Sequence, residues 1–294
     1  MRSAVLAGMM GVALASAARA DFPVPRLSLQ DDVNSVYAPP SPASENEGLN
    51  AGGVNLDIEV RYMTDYEYRG IERFDSTTSH EDSANLQWEG KLDWNLGKLP
   101  HPFIGLFVNV AESDPISNFQ EVRPFFGGEW NLRPFILSTG HTTYIFPDRK
   151  ALETSEVWGK VELDDSYFFN SDRPLFSPYI MGAYDYDKFH GWYIEAGFHH
   201  DFIFEDIGLT LRAEASVGYG RGYELFRGPT GKDTGFQHYQ IGMVGSYSLN
   251  QLFHFSARYG EWKLKAYINY TDGIDNLLHC DTQLWGGAGI EFRY

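Results

Sequence analysis

The chain is most constrained by stretches in which apolar and charged residues alternate over ten or more positions. Residues 56–69 carry mostly apolar or aromatic side chains at even positions and charged side chains at odd positions, and residues 284–294 alternate in a similar way. Successive side chains of a β-strand point to opposite faces. A strand with one apolar and one charged face needs lipid on one side and water on the other. The pattern therefore predicts a transmembrane β-barrel.

Alternation recurs along the chain and predicts an all-β fold, an antiparallel up-and-down barrel of about twelve strands. The further alternating segments are 86–96, 102–112, 119–132, 134–146, 157–163, 175–187, 192–202, 209–220, 239–249 and 252–271. In the last of these the apolar positions change parity near Gly260. Because one extra residue reverses the facing of a strand, this change predicts a β-bulge near Gly260.

Short and long connections alternate between these segments. The short ones are 97–100, 131–134, 205–208 and 250–251, and the long ones are 70–84, 112–118, 147–154, 186–191, 220–236 and 272–281. Membrane barrels have short periplasmic turns and long external loops. A soluble, tyrosine-rich β-sandwich has no reason to sort its loops in this way, so the sorting favours the barrel.

The first twenty residues have the features of a secretory signal peptide. Arg2 is followed by a short apolar run and by Ala18-Arg19-Ala20, a small-x-small cleavage site. The run is too short for the alternative, an N-terminal membrane anchor. Residues 21–54 are rich in proline and show no period, which predicts a flexible periplasmic segment or one that enters the lumen. The barrel is then expected over residues 55–294, in the bacterial outer membrane.

Charge and cysteine content exclude several classes of partner. The formal net charge of −17 at pH 7 disfavours nucleic acid, because phosphate backbones attract basic surfaces. Cys280 is the one cysteine of the chain, which excludes an intramolecular disulfide and a cysteine-based metal site. Aromatic residues make up 16% of the sequence, an excess that the aromatic girdles of a membrane barrel explain.

No segment predicts catalysis, a metal site or a cofactor. Ser138 and His141 differ in parity, so on a regular strand they face opposite sides and form no catalytic pair. The adjacent rings of His199 and His200 likewise face opposite sides and share no metal. Residues 228–233 lack the glycine and Ser/Thr spacing of a phosphate loop.

Two acidic loop clusters and the cysteine also read as ordinary loop residues. Residues 185–190 and 272–276 lack the spacing of a calcium loop. Cys280 follows His279 at a junction between a loop and a strand, where a lone cysteine is more often incidental than reactive.

The charged positions of the alternating strands are expected to line the lumen, where function would lie. They are Asp57, Glu59, Arg61, Asp65, Glu67, Arg69, Glu89, Lys91, Asp93, Glu121, Arg123, Glu129, Glu195, Arg212, Glu214, Glu291 and Arg293. The first and last strands must pair to close a barrel, which places Glu291 and Arg293 beside the charges of the first strand. Such a ladder of mixed charges either lines a water-filled pore or closes a small barrel with salt bridges, and the sequence leaves both open.

Two short motifs resemble those of a known family. Residues 62–71 read YMTDYEYRGI, and residues 140–147 read GHTTYIFP. They are similar to the opening strand and the mid-chain Gly-x-x-x-Tyr-x-x-Pro segment of the Gcw_chp family of exported Gram-negative proteins. The chain departs from the family at Thr64, where serine is common, and at Glu72, where serine or threonine is common. The resemblance covers about residues 55–294 and implies a β-barrel, but it brings no ligand and no catalytic residue.

The sequence therefore favours a non-enzymatic, porin-like barrel that passes small solutes or ions through a charged lumen. One alternative is a lumen-closed structural or adhesion barrel that contacts a partner through its long loops, and a third is a membrane-embedded lipid hydrolase. The expected partners are outer-membrane lipid, small solutes or ions, and the barrel-insertion machinery. The last would read the C-terminal strand that ends on Tyr294. Acids outnumber bases on the inner face, which favours cations.

Overall fold

The computed structural model of the chain describes residues 53–72, 84–97, 99–111, 120–147 and 150–294. The predicted signal peptide, residues 1–20, and nearly all of the predicted flexible segment 21–54 lie outside the described residues. Most of the predicted loops 70–84 and 112–118 also lie outside them. Among the described helices, none has the length and hydropathy needed to cross a bilayer.

Twelve strands form one closed antiparallel barrel, which confirms the predicted fold class. Each strand pairs with its neighbours in sequence order, as in an up-and-down barrel. The barrel strands are β1 (Val54–Met63), β4 (Asn85–Trp94), β5 (His101–Ala111), β6 (Gln120–Leu132), β7 (Phe135–Tyr144), β8 (Thr154–Leu163), β9 (Tyr179–Asp185), β10 (Trp192–Phe204), β11 (Leu209–Arg221), β12 (Gly235–Ser248), β13 (Glu261–Gly273) and β14 (Gln283–Arg293). Two further short strands, β2 (Glu67–Tyr68) and β3 (Ile71–Glu72), pair only with each other.

The barrel closes between its first and last strands, as predicted. Glu59 lies opposite Glu291, and Asp57 lies opposite Arg293. The last residue takes part in the seam, because Tyr294 and Leu56 exchange two backbone hydrogen bonds of 2.7 and 2.8 Å. A closed seam leaves no unpaired strand edge, which would otherwise expose polar backbone groups to lipid.

The outer surface is apolar along the whole wall. Ile241, Ile268 and Leu284 are 53–68% exposed on outward positions of β12, β13 and β14. Their inward neighbours on the same strands, such as Asn269 and Trp285, are at most 3% exposed. An apolar exterior around a polar interior is the inverse of a soluble protein, and it is stable only when lipid covers the outside.

The chain termini of the barrel and the shortest turns lie at one end, which we call the periplasmic end. The turns 133–134 and 205–208 are as short as predicted. The connection 164–178 contains α1 (Ser166–Phe169). The turn predicted at 250–251 is longer than predicted, because residues 249–260 contain α2 (Leu249–Phe253) and a short 3₁₀ turn, Ala257–Tyr259.

Two predicted strand details are wrong. The parity change near Gly260 is not a bulge, since residues 249–260 form a helical turn and β13 starts at Glu261. Gly260 ends that turn with φ of +97°, a conformation that suits glycine. The register irregularity of the wall lies instead between β11 and β12, at Gly218 and Tyr219. The other error concerns the predicted first strand, 56–69, which leaves the wall after Met63.

Candidate functional site: the lumen and its inserted hairpin

Residues 64–72, which we call the lumen hairpin, turn from the end of β1 into the barrel. Glu67 pairs with Glu72, and Tyr68 pairs with Ile71, which leaves a two-residue turn at Arg69 and Gly70. Both turn residues have positive φ, +54° and +77°. This is the geometry of a type I′ hairpin turn, for which glycine is the preferred residue. A side chain at Gly70 would also lie 2.7 Å from the ring of His238.

Residues 65–71 of the lumen hairpin are buried although they form no ladder with a barrel strand. Tyr66, Glu67 and Tyr68 are each 1% exposed, and Arg69 is 4% exposed. Tyr66 and Tyr68, which the alternation places on the lipid face, therefore lie inside the barrel. The alternating pattern resumes after Thr64, but β1 ends at Met63, and the Arg-Gly turn then reverses the chain within the lumen.

On one side the hairpin bonds to β6. The hydroxyl of Tyr66 donates to Glu121 Oε2 at 2.9 Å and accepts from Arg123 Nη2 at 2.6 Å. Arg123 Nε in turn lies 2.8 Å from Glu121 Oε1. The guanidinium of Arg123 also lies 3.9 Å from the ring centre of Phe107. A fully buried arginine is thus paired with a carboxylate and covered by aromatic faces, which compensate for the loss of its hydration.

The tip of the hairpin bonds to β7, β8 and an extracellular loop. Tyr68 donates to the hydroxyl of Tyr144 at 2.9 Å, and Tyr144 donates to Glu156 Oε1 at 2.7 Å. Arg69 Nη2 lies 3.0 Å from the same Glu156 oxygen, and Arg69 Nη1 donates to the hydroxyl of Tyr223 at 3.1 Å. The two motifs noted in the sequence therefore meet in the lumen, through Tyr68 and Tyr144.

The opposite side of the hairpin reaches β14 and the loop before it. Trp285 Nε1 donates to Glu67 Oε2 at 2.6 Å. The backbone of Asp281 donates to the carbonyl of Gly70 at 2.9 Å, and its side chain accepts from Glu72 N at 2.9 Å. The lumen hairpin therefore bridges the barrel from β6–β8 to β14 in its extracellular half.

Towards the periplasm the wall charges pair with close neighbours on the wall. Arg212 makes two 2.6 Å hydrogen bonds to Asp201 on the adjacent strand. Lys265 lies 3.2 Å from Glu291 on the adjacent strand and 3.1 Å from Glu59 on the next strand. These bonds follow the wall instead of crossing the lumen.

Aromatic rings lie against glycines of the inner wall. A Cβ at Gly105 would overlap the ring of Phe125, and one at Gly140 would overlap the ring of Trp158. The same holds at Gly220, where the ring is that of Phe226. Because glycine has no side chain, it lets a large ring lie flat on the sheet. These rings line the wall and narrow the lumen.

The structure places all predicted lumen residues inside the barrel. Asp65, Glu67 and Arg69 belong to the lumen hairpin and not to the wall. The others lie on inward positions of the wall: Asp57, Glu59, Arg61, Glu89, Lys91, Asp93, Glu121, Arg123, Glu129, Glu195, Arg212, Glu214, Glu291 and Arg293.

Sequence reasoning missed several inward residues. Glu156, Lys160 and Glu162 lie on alternate positions of β8 and are buried, so a closer count of parity over 154–163 finds them. Tyr144 was hidden by its residue type, because tyrosine occurs on both faces of a membrane barrel.

The residue pairs discounted for catalysis and metal binding are indeed separated. Ser138 is buried inside, whereas His141 contacts Tyr186 on the outer side. His199 is buried inside, whereas His200 bonds to the backbone of Leu175. Within the described ranges no three His, Cys, Asp or Glu residues come together as metal ligands.

Cys280 lies in the loop before β14 and is partly buried. Burial, with the nearby carboxylates of Glu67, Asp281 and Asp272, raises the pKa of its thiol to about 12. The thiolate is the reactive form of cysteine, so this environment disfavours a reactive thiol.

A closed, even-stranded antiparallel barrel with an apolar exterior and a charged interior is the architecture of bacterial outer-membrane barrels. The chain is an outer-membrane β-barrel of porin-like fold. No known protein-family model matches it, and no curated protein matches it.

Solved structures with a similar shape are outer-membrane barrels. The NanC porin shares 11% identity with a TM-score of 0.47, over 81% of this chain and 98% of that one. The COG4313 outer membrane channel from Pseudomonas putida F1 shares 10% identity with a TM-score of 0.46, over 86% and 99%. OmpF from Salmonella typhi shares 7% identity with a TM-score of 0.36, over 82% and 97%. At these values the likeness carries no argument about what this chain conducts or binds.

Proposed function

We propose that the protein is a gated outer-membrane channel for small cations, in which the lumen hairpin is the gate. In the state described here the hairpin closes the extracellular half of the lumen. Displacement of the hairpin opens a narrow path lined by the charged wall. We also propose that the barrel-insertion machinery reads the C-terminal strand. We further propose that the chain belongs to the Gcw_chp family.

The observation that carries the proposal is the contrast between two kinds of contact. The bonds from Tyr66, Arg69 and Glu67 cross the lumen, whereas the wall charges of the periplasmic half bond along the wall. Removing the hairpin therefore removes the bridge and leaves the barrel strands paired. A segment that belongs to no barrel strand is also free to move without breaking the backbone ladder of the wall.

Cation preference follows from the charges that remain when the hairpin leaves. Glu59 and Glu89 lie directly opposite each other on β1 and β4. Glu162, Glu195 and Glu214 add acids to other parts of the wall. Rings of acidic side chains attract cations, and a narrow lumen with low-dielectric walls strengthens the attraction.

A permanently closed barrel that contacts a partner through its loops is the second candidate. It is favoured by side chains outside the hairpin that are also buried, such as Arg212 and Lys265 at 2% and 1% exposed. Paired charges of this kind can close a small barrel.

Planar-bilayer conductance separates the two. We expect little current from the wild-type protein. Replacing residues 66–71 by a Gly-Ser segment of equal length should give a steady, cation-selective current. The matched control replaces the exposed loop residues 229–231 in the same way and should resemble the wild type. Circular dichroism checks that each variant keeps its β-structure.

A hairpin variant that retains its β-structure but carries no current would contradict the proposed gate and favour the permanently closed barrel. A wild-type current equal to that of the hairpin variant would also overturn it. Changing Glu59 and Glu89 to glutamine in the conducting variant should lower the cation preference measured from the reversal potential. Salt near 1 M should weaken the preference too, because the screening length falls to about 3 Å.

A further inference from the structure

The guanidinium of Arg69 is surrounded by the kinds of group with which proteins bind an organic cation. It lies 4.3 Å from the ring centre of Tyr193 and 5.8 Å from that of Tyr223. One nitrogen pairs with Glu156 and another donates to the hydroxyl of Tyr223. Two aromatic faces and a carboxylate around one planar cation are the chemistry of an aromatic cage.

The ring centre of the hairpin's own Tyr68 also lies 4.8 Å from the guanidinium, but the other groups around Arg69 belong to the wall and an extracellular loop. Glu156 is on β8, Tyr193 is on β10, and Tyr223 is in the loop between β11 and β12. We call these three residues the cation cage.

Each cage residue has support that does not come from Arg69. Glu156 accepts from Tyr144 at 2.7 Å, and Tyr193 donates to Glu195 at 2.5 Å. The ring of Tyr223 packs edge-on against Phe226, with the ring centres 4.8 Å apart. The cation cage therefore stays formed when Arg69 leaves, and it then presents a buried carboxylate and two rings without their cation.

We infer that the cation cage is a binding site for organic cations with a guanidinium or ammonium head, and that Arg69 is its built-in occupant. The inference rests on the proposed gate, because a ligand reaches the cage only when the hairpin is displaced. An organic cation would then compete with Arg69 for the same contacts and hold the gate open. The channel would thus admit the class of solute that its own arginine imitates.

Charge and shape set the selectivity of the cage. The carboxylate of Glu156 pairs with a cationic group and offers no such pair to an anion. A neutral solute gains neither the ion pair nor the cation–π attraction, which together need a positive charge. A guanidinium is also planar and weakly hydrated, so it gives up water more readily than a compact ammonium does.

Competition requires a substantial ligand concentration. Arg69 is tethered to its site, and a short tether gives an effective concentration in the millimolar range. We therefore expect ligands to act at about 10 mM on the wild-type protein and at lower concentrations when the hairpin is absent.

The test uses the conducting variant in which residues 66–71 are replaced. Methylguanidinium should reduce its potassium current by occupying the cation cage, and neutral N-methylurea of similar shape should not. Tyr193→Leu in this background should weaken the block about tenfold, the effect of losing one desolvated cation–π contact. Tyr219→Leu is the matched control, because Tyr219 lies on the outer face against Phe236.

Equal block in the Tyr193→Leu and Tyr219→Leu variants, or no block by methylguanidinium, would overturn the cage while leaving the gate intact. A silent parent variant would overturn the gate itself, so the two failures are distinguishable.

Binding to the full-length chain gives a second readout that does not need current. Arg69→Ala vacates the cage and removes the bonds that hold the hairpin tip to Glu156 and Tyr223, so in this variant methylguanidinium should raise the thermal unfolding midpoint in detergent, and N-methylurea should not. In Arg212→Ala, which loses a pair to Asp201 instead of a caged arginine, the rise should be smaller. Equal rises in both variants would show general binding to any vacated arginine site and would contradict the cage.

Discussion

The two halves of the lumen use the same kinds of residue but connect them differently. In the extracellular half, Arg69 and Arg123 take part in bonds that reach from the hairpin to the wall. In the periplasmic half, Arg212 and Arg293 bond to carboxylates on adjacent strands. The extracellular half is held by a separate segment, and the periplasmic half is held by the wall itself.

This difference teaches that burial and closure are separate properties of a barrel. Pairs along the wall neutralise charge without tying one side of the lumen to the other. Bonds from an inserted hairpin neutralise charge and also tie one side of the lumen to the other. A change in the hairpin half should therefore affect gating and stability together, whereas a change in a wall pair should affect local stability only.

Removing Arg123 from the extracellular half should have the largest effect on stability. Arg123→Ala leaves Glu121 buried and without its ion pair, so we expect the free energy of unfolding to fall by about 3–5 kcal/mol. Arg293→Ala is the comparison in the periplasmic half, where the pair with Asp57 is partly exposed and the second partner, Glu291, keeps its pair with Lys265. Its loss should cost about 1 kcal/mol or less. Urea titration in detergent micelles measures both, and equal losses would break the distinction between the halves.

A smaller effect is expected where aromatic rings lie on glycine. Gly140→Ala places a methyl group against the ring of Trp158 and 2.7 Å from the carbonyl of Phe126. Overpacking of this kind costs about 1–3 kcal/mol. Gly182→Ala meets no atom within 4 Å and should leave the unfolding free energy nearly unchanged. If the two variants are equally stable, the rings do not need the glycines.

The smallest expected effect is a dependence on pH of how firmly the hairpin is held in the lumen. Glu67 is in the hairpin and outside the membrane-spanning strands, and burial raises its pKa to about 7. The seated hairpin therefore favours the protonated carboxyl. The stability that Glu67 contributes to the inserted hairpin is fully present below about pH 4.5 and is lost as the pH rises through about 7.

The wild-type current should accordingly be larger at about pH 8 than at about pH 5. Glu67→Gln should flatten this dependence, because the amide does not titrate. An unchanged pH profile in that variant would assign the dependence to another group.

The barrel was predictable because its strands repeat one physical rule. Alternation in β4, β10 and β11 fixed the facing of each strand, and the pairing of β1 with β14 followed from closure. The strand ends were less predictable. The alternation of 56–69 is interrupted only at Met63 and Thr64 and then resumes with the same parity, so this short break and the Arg69-Gly70 turn are the local signals that the chain leaves the wall.

The candidate site was predictable as a set of charges but not as a hairpin inserted into the lumen. Parity places Arg123 and Glu121 inside, and it places Tyr66 and Tyr68 outside, where they are not found. The bridge from Tyr68 to Tyr144 joins residues far apart in the sequence. No local pattern encodes such a contact, since it depends on how the closed barrel positions β7 against the hairpin.

The central claim, that the hairpin closes the lumen, is tested most directly by the reactivity of a thiol placed just below it. Thr142→Cys in a Cys280→Ser background puts a thiol at a fully buried inward position, two residues along β7 from Tyr144. With the native hairpin, a small charged thiol reagent should modify this cysteine slowly. With residues 66–71 replaced by a Gly-Ser segment, modification should be much faster. Equal rates in the two proteins would contradict the account.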